Sequence, residues 1–275
     1  MTVNLHTHTY RCGHASGTER EYIERALANG ITHMGFSDHV PFRYPDGTEA
    51  KFRVPVAEAQ NYMDTLRALQ EEYRGRMSIY IGFEMEYFPL YFQDMLRFVQ
   101  ELGAEYLILG QHLIGNGQSG EQHVTKPSLS EERLTEYADT VVEGIRSGVF
   151  TYVAHPDVFN FWGADDVYDA QMRKICRASV QCDIPLEINF LGLRDGRQYP
   201  NARLWEIAGE EGCKAVFGFD AHKTKHAYDG DTIPLAEWII RQYGLRYEPY
   251  PCLIDPKTKK RRAILPDPEE STEKT

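Results

Sequence analysis

Residues 3–39 open with Val3-Asn4-Leu5-His6-Thr7-His8, run through the charged, periodic segment 18–29 (TEREYIERALAN) and close with 33–39 (HMGFSDH). A short β-branched run, an amphipathic run and a second short apolar run spell one strand–helix–strand unit. Thr18 followed by Glu21 reads as a capping box at the helix start. Two strands joined by a helix are parallel neighbours in one sheet, so this stretch points to an α/β fold.

The same alternation continues. Strands are expected at 78–87, 106–112, 152–155, 185–190 and 215–222, and helices at 55–73, 90–102, 130–148, 165–181 and 201–211. About seven such units fill the chain to near residue 240, with no compositional break between them. The reading is a single barrel-like domain over 1–245 and a C-terminal extension over 246–275. Within the extension, 246–254 and 261–265 are expected to form a hairpin, followed by a frayed polar tail at 266–275. Three strand-following connections, 40–54, 113–129 and 189–201, exceed a minimal loop. In a parallel barrel they lie on the face that builds sites.

Composition limits the function classes. The chain has 275 residues, 42% of them hydrophobic, with 17 Tyr and 13 Phe, enough for a sizeable core. No apolar run approaches the roughly 20 residues of a membrane span. Residues 1–12 carry no basic-then-apolar pattern of a secretory signal. A net charge of −11 argues against nucleic acid as partner, and the lone basic cluster at 257–262 (KTKKRR) reads as a solvated turn. The five cysteines form no C-x-x-C pair, which fits a reducing cytoplasm better than a disulfide framework.

The histidines carry the chemistry. His6-x-His8, Asp38-His39, Glu84-x-Glu86, His112, His155 and Asp220-x-His222 fall at the C-terminal ends of successive expected strands. Residues two apart on a strand face the same side, so His6 with His8, and Asp220 with His222, can converge on one ion. Imidazole with carboxylate suits zinc, iron or manganese rather than calcium. His14, in the Gly-bearing loop Cys12-Gly13-His14, is left open as a ligand by spacing alone. Cys12 is read as packing, His33 and His123 as non-ligands, and His226 stays open.

In this order the set resembles the polymerase and histidinol phosphatase (PHP) family. It comprises His6-x-His8, Gly13-His14, Ser37-Asp38-His39, Glu84, His112, His155 and Asp220-Ala221-His222. Residues 38–42, 82–89 and 186–194 are similar to its histidinol-phosphate phosphatase branch. Gln111 departs from the small residue common before the fourth-strand histidine. The resemblance implies a distorted, TIM-like (β/α)7 barrel holding three divalent ions (zinc, iron or manganese). His6, His8, Glu84 and Asp220 would take the first ion, and His14, His39 and His222 the second. Glu84 would bridge to a third ion at His112 and His155.

The expected activity is phosphomonoester hydrolysis, with L-histidinol phosphate as substrate and a metal-bridging hydroxide as nucleophile. Another small phosphoester (a sugar phosphate, nucleotide or phosphotyrosine) and a non-catalytic scaffold are the alternatives. No side-chain nucleophile motif is present. Asp38 is expected to orient a histidine or to protonate the leaving group. Arg194 and Arg197 are the expected phosphate clamps, because guanidinium binds phosphate through two parallel hydrogen bonds. Arg53 and Lys223 are expected helpers.

Overall fold

Along β3 (Ser78–Met85) the side chains alternate. Ile79, Ile81, Phe83 and Met85 join the main apolar core, so Gly82 and Glu84 face the other way. The same period sorts β5 (Leu186–Asn189) and β6 (Lys214–Gly218). Leu186, Ile188, Ala215 and Phe217 enter that core, while Glu187, Asn189, Val216 and Gly218 turn from it. On β4 (Tyr106–Leu109), Leu107 and Leu109 pack outward and Tyr106 and Ile108 inward. One face of the sheet is therefore wholly apolar, and the other carries carboxylates towards the strand C-termini.

The computed structural model describes residues 1–116 and 123–265. β1 (Val3–Asn4), β2 (His33–Phe36), β3 and β4 pair in that order, all parallel, and β5 and β6 pair parallel in a second group. Single parallel bridges join Leu109 to Val153, Val153 to Leu186, and Thr7 to Ala221. The result is a curled parallel sheet backed by helices. These are α1 (Glu19–Leu27), α2 (Ala59–Glu72), α3 (Phe92–Leu102), α4 (Glu131–Ser147), α5 (Asp165–Cys182), α6 (Phe190–Asp195), α7 (Ala202–Glu211) and α8 (Ile233–Tyr243). A smaller apolar cluster, including Val3, Leu5, Tyr106, Ile108, Tyr152 and Val216, fills the inside of the curl below the carboxylates. Tyr106 ties it to two strands, its hydroxyl donating to Leu5 O (2.7 Å) and lying 3.1 Å from Phe36 O.

Most expected elements are present. Thr18 and Glu21 form the capping box of α1, and the Ser130 hydroxyl caps α4. Segment 152–155 differs: only Val153 bridges on either side, and His155 turns to a positive φ of 31° that ends extended pairing. α6 replaces the start of an expected loop because the Asn189 side chain accepts from Gly192 N and caps a new helix. α8 lies in a stretch left unassigned, where Ile239 and Ile240 are followed by exposed polar residues.

The C-terminal segment divides. β7 (Arg246–Tyr247) pairs parallel with β6 rather than entering a hairpin. The hairpin itself forms between β8 (Leu253–Ile254) and β9 (Arg261–Arg262). Its basic residues are engaged locally: Arg261 pairs with Asp183 at 2.6 Å, and Lys259 donates to Ser147 O at 2.8 Å. The tail expected at 266–275 lies outside the described residues. No helix among the described residues is long and apolar enough to cross a membrane, and the five cysteines are free.

Candidate metal centre

Glu84 projects from β3 into the curl at 1% exposure, and its two oxygens face different histidines. Oε2 lies 3.5 Å from His6 Nε2, 3.4 Å from His8 Nε2 and 3.1 Å from His39 Nδ1. Oε1 lies 2.8 Å from His155 Nε2 and 3.4 Å from His112 Nε2. Room for the carboxylate comes from Gly110 on the next strand, where a Cβ would overlap Oε1. Across the curl, Asp220 Oδ1 stands 3.5 Å from His6 Nε2, 3.3 Å from His8 Nε2 and 3.2 Å from His222 Nδ1. Asp220 adopts a positive φ of 45°, a conformation that non-glycine residues rarely take. His14 completes the rim, its Nε2 2.9 Å from His222 Nε2.

These distances suit a bound cation. Donors about 2.0–2.2 Å from a tetrahedral zinc stand roughly 3.3–3.6 Å apart, the spacing seen among His6, His8, Glu84 and Asp220. Among the described residues, Asp220 Oδ1 is buried with no hydrogen-bond partner. Glu84, Asp220 and Glu187 are buried, and their ion pairs among the described residues are to histidines alone. A buried carboxylate needs a compensating positive charge. Here only imidazolium or a metal ion can supply it.

The electrostatics divide the histidines. Burial works against protonation of His6, but Glu187, Asp220 and Glu84 outweigh it and lift its pKa to about 10. A cation bound there would displace that proton. At the rim, burial and the neighbouring His222 lower His14 to about 4, and burial holds His39 well below the ordinary histidine value. Rim imidazoles are thus neutral near pH 7, with lone pairs free to bind.

The expected ligands all meet around this cluster. They include His14, which spacing alone left open. The groups able to hold an ion include His6–His8–Glu84, His6–His155–Asp220, His8–His39–His222 and His39–Glu84–His112. Above them opens a cavity of about 500 Å³ whose lining includes His123, Thr125, Arg197, Tyr199, Lys223 and His226.

The chain is matched over residues 4–190 by the model of the PHP domain. The chain belongs to the PHP domain family. A histidinol-phosphatase of Bacillus subtilis is 32% identical over 248 residues, covering 79% of this chain and 92% of that one. A probable histidinol-phosphatase of Deinococcus radiodurans is 29% identical over 229 residues, covering 79% and 85%. The crystal structure of Lactococcus lactis histidinol phosphate phosphatase, complexed with zinc, L-histidinol and phosphate, superposes with a TM-score of 0.72 at 19% identity. It covers 96% of this chain and 99% of that one, and shows a shared fold.

Within this PHP domain, several residues expected at the substrate stand elsewhere. Arg53 is 2% exposed, with Nη2 2.8 Å from Glu86 Oε2, and is absent from the cavity lining. Its charge is committed to a carboxylate that in turn faces His112 Nδ1 at 3.3 Å. Arg194 gives Nη1 to Asp229 at 2.6 Å, while its Nε and Nη2 remain without hydrogen-bond partners among the described residues. Asp38 lies beneath the ligands, both oxygens held by Thr9 at 2.8 and 3.0 Å, and is also absent from the lining. Burial raises its pKa to about 6. Arg197 and Lys223 do line the cavity.

Two cavity or support residues escape the reading by strand ends. His123 lines the cavity from a loop whose position the sequence leaves undefined. Glu187 sits two residues before Asn189 on β5, the same i, i+2 spacing that flagged His6-x-His8, and that signal could have found it.

Proposed function

We propose that this chain is a metal-dependent phosphomonoesterase that hydrolyses L-histidinol phosphate to L-histidinol and phosphate. The observation that carries the reading is the trio Glu84, Asp220 and Glu187, buried and, among the described residues, ion-paired with histidines alone, the first two at the floor of a cavity with cationic side chains on its wall. The names of its Bacillus subtilis and Lactococcus lactis relatives, and the zinc, histidinol and phosphate bound in the latter, point to the same chemistry.

In this reading the centre would take three divalent ions. His6, His8, Glu84 and Asp220 would hold one, His14, His39 and His222 a second, and His112, His155 and Glu84 a third. The opposed directions of the two Glu84 oxygens support the shared role. Ions held there would lower the pKa of a coordinated water towards neutrality and offset charge on the phosphoryl oxygens. Arg197 and Lys223 orient the phosphate from the wall. Arg194, absent from the lining, pairs with Asp229 instead. Asp38 acts through Thr9 and His8 as a support for the floor. Water adds to phosphorus as the ester P–O bond breaks, and the leaving alkoxide takes up the proton that the water gives up.

The single bridges at Val153 and between Thr7 and Ala221 support a closed but distorted (β/α)7 barrel. The extension that follows packs its hairpin against the barrel's N-terminal end, with Leu253 in the inner apolar cluster.

Phosphate release from histidinol phosphate, compared with a sugar phosphate, a nucleotide and phosphotyrosine, tests the substrate. The expected result is a preference for histidinol phosphate in kcat/KM. Equal or better turnover of another member would reassign the substrate.

A further inference from the structure

Among the described residues Glu187 belongs to no group able to hold an ion and does not line the cavity, yet it touches His6 and His155, which belong to such groups. Its Oε1 is 2.7 Å from His6 Nδ1. Its Oε2 accepts from the backbone N–H of His155 (3.0 Å) and from Asn189 Nδ2 (2.9 Å). Asn189 Nδ2 also reaches Asp220 Oδ2 at 3.1 Å, while Asn189 Oδ1 accepts from Gly192 N at 3.1 Å. Both side chains are fully buried. Two residues on one strand therefore reach His6, His155 and Asp220, which come from three other segments and together form one of the groups able to hold an ion.

The consequences are specific. An ionised carboxylate only accepts, so a proton is held on His6 Nδ1, and a bound cation would take the Nε2 side that faces Glu84 and Asp220. His155 and Asp220 both adopt the left-handed backbone, at φ 31° and 45°. Each is anchored by this pair, His155 through its N–H and Asp220 through its side chain. Space for Glu187 is reserved by Gly218 on the neighbouring strand, where a Cβ would overlap Glu187 Oε1. Burying a carboxylate where it can be neither ligand nor substrate contact is costly, unless it is fully hydrogen-bonded, as here.

We infer that Glu187, with Asn189, is the positioning residue of the deep ion site, fixing the tautomer of His6 and the aim of Asp220. The inference rests on the metal-centre reading above.

The test is zinc binding by the full-length, metal-stripped chain, followed by calorimetry with chelator competition. A His14→Ala chain identifies which zinc class belongs to the rim. Glu187→Gln leaves one acceptor oxygen where two are used. Gly218→Ala pushes on Oε1 without altering any ligand or charge. Each is expected to weaken the deep zinc class about 10–100-fold, leaving the rim class unchanged. Wild-type deep affinity in a folded variant would overturn the inference. So would equal weakening of the deep and rim classes, which marks a merely structural role. If Glu187→Gln fails to fold, Gly218→Ala decides. Should the wild type bind zinc in both classes yet hydrolyse no phosphomonoester, the functional reading falls and the positioning role stands. Should it bind none, both fall.

Discussion

At the floor of the centre His6, His8, Glu84 and Asp220 are at most 5% exposed, and a carboxylate stands behind His6. At its mouth His14 is exposed and His222 half-buried. These two are steadied through Nδ1 by backbone carbonyls, Cys12 O at 3.0 Å and Asp220 O at 3.2 Å. The floor is charged, buried and tied into strands; the mouth is neutral and wet. Altering the floor should therefore cost folding or all turnover, whereas altering the mouth should cost affinity alone.

The largest effect is expected from Arg53→Met, which leaves Glu86 buried without its cation. Breaking such a pair costs about 3–5 kcal/mol, read as a fall in urea or thermal stability. A loss under about 1 kcal/mol would mean the ion pair does not support the floor. Next is Asp220→Asn, expected to cut kcat roughly 10²–10³-fold in a chain that still folds by circular dichroism. Near wild-type turnover would remove Asp220 from the centre. At the mouth, Arg197→Ala or Lys223→Ala should each lower kcat/KM about 10–100-fold through one lost charge-assisted hydrogen bond. Stability should move within about 0.5 kcal/mol. A large stability loss there would erase the contrast.

The smallest expected effect is in the pH dependence of the metal-free protein, where floor and mouth have opposite signs. His14 and His226, lowered to about 4 chiefly by burial, bind protons more readily in the unfolded chain. Their contribution is present above about pH 6.5 and is lost as pH falls towards 4. His6, raised to about 10 by carboxylates against the cost of burial, contributes fully below about 6.5 and loses that contribution as pH rises towards 10. Melting temperature against pH in chelator should therefore peak near pH 6.5. A profile rising steadily to pH 9 would contradict the charge assigned to His6.

Much of the floor was legible because it is written in local spacing. His6-x-His8 and Asp220-x-His222 each carry two donors two residues apart next to a strand, and strand–helix alternation brings those segments together. Helix starts were legible for the same reason, as at Thr18 and Ser130. What escaped depends on partners remote in the chain. Arg53 and Arg194 read as free cations until folding brings Glu86 and Asp229 to them. Segment 152–155 has strand composition, but the turn at His155 leaves it a single bridging residue. Glu187 carried a readable spacing but no imidazole beside it, and its role appears only where His6 and His155 close over it.

The most direct measurement is a titration of zinc or manganese into the chelator-stripped chain, following bound ions per chain and phosphate release from histidinol phosphate together. The stripped protein is expected to show no hydrolysis, with recovery that tracks filling of the floor. Undiminished hydrolysis by the stripped chain, or ions bound without any turnover of a phosphomonoester, would contradict it.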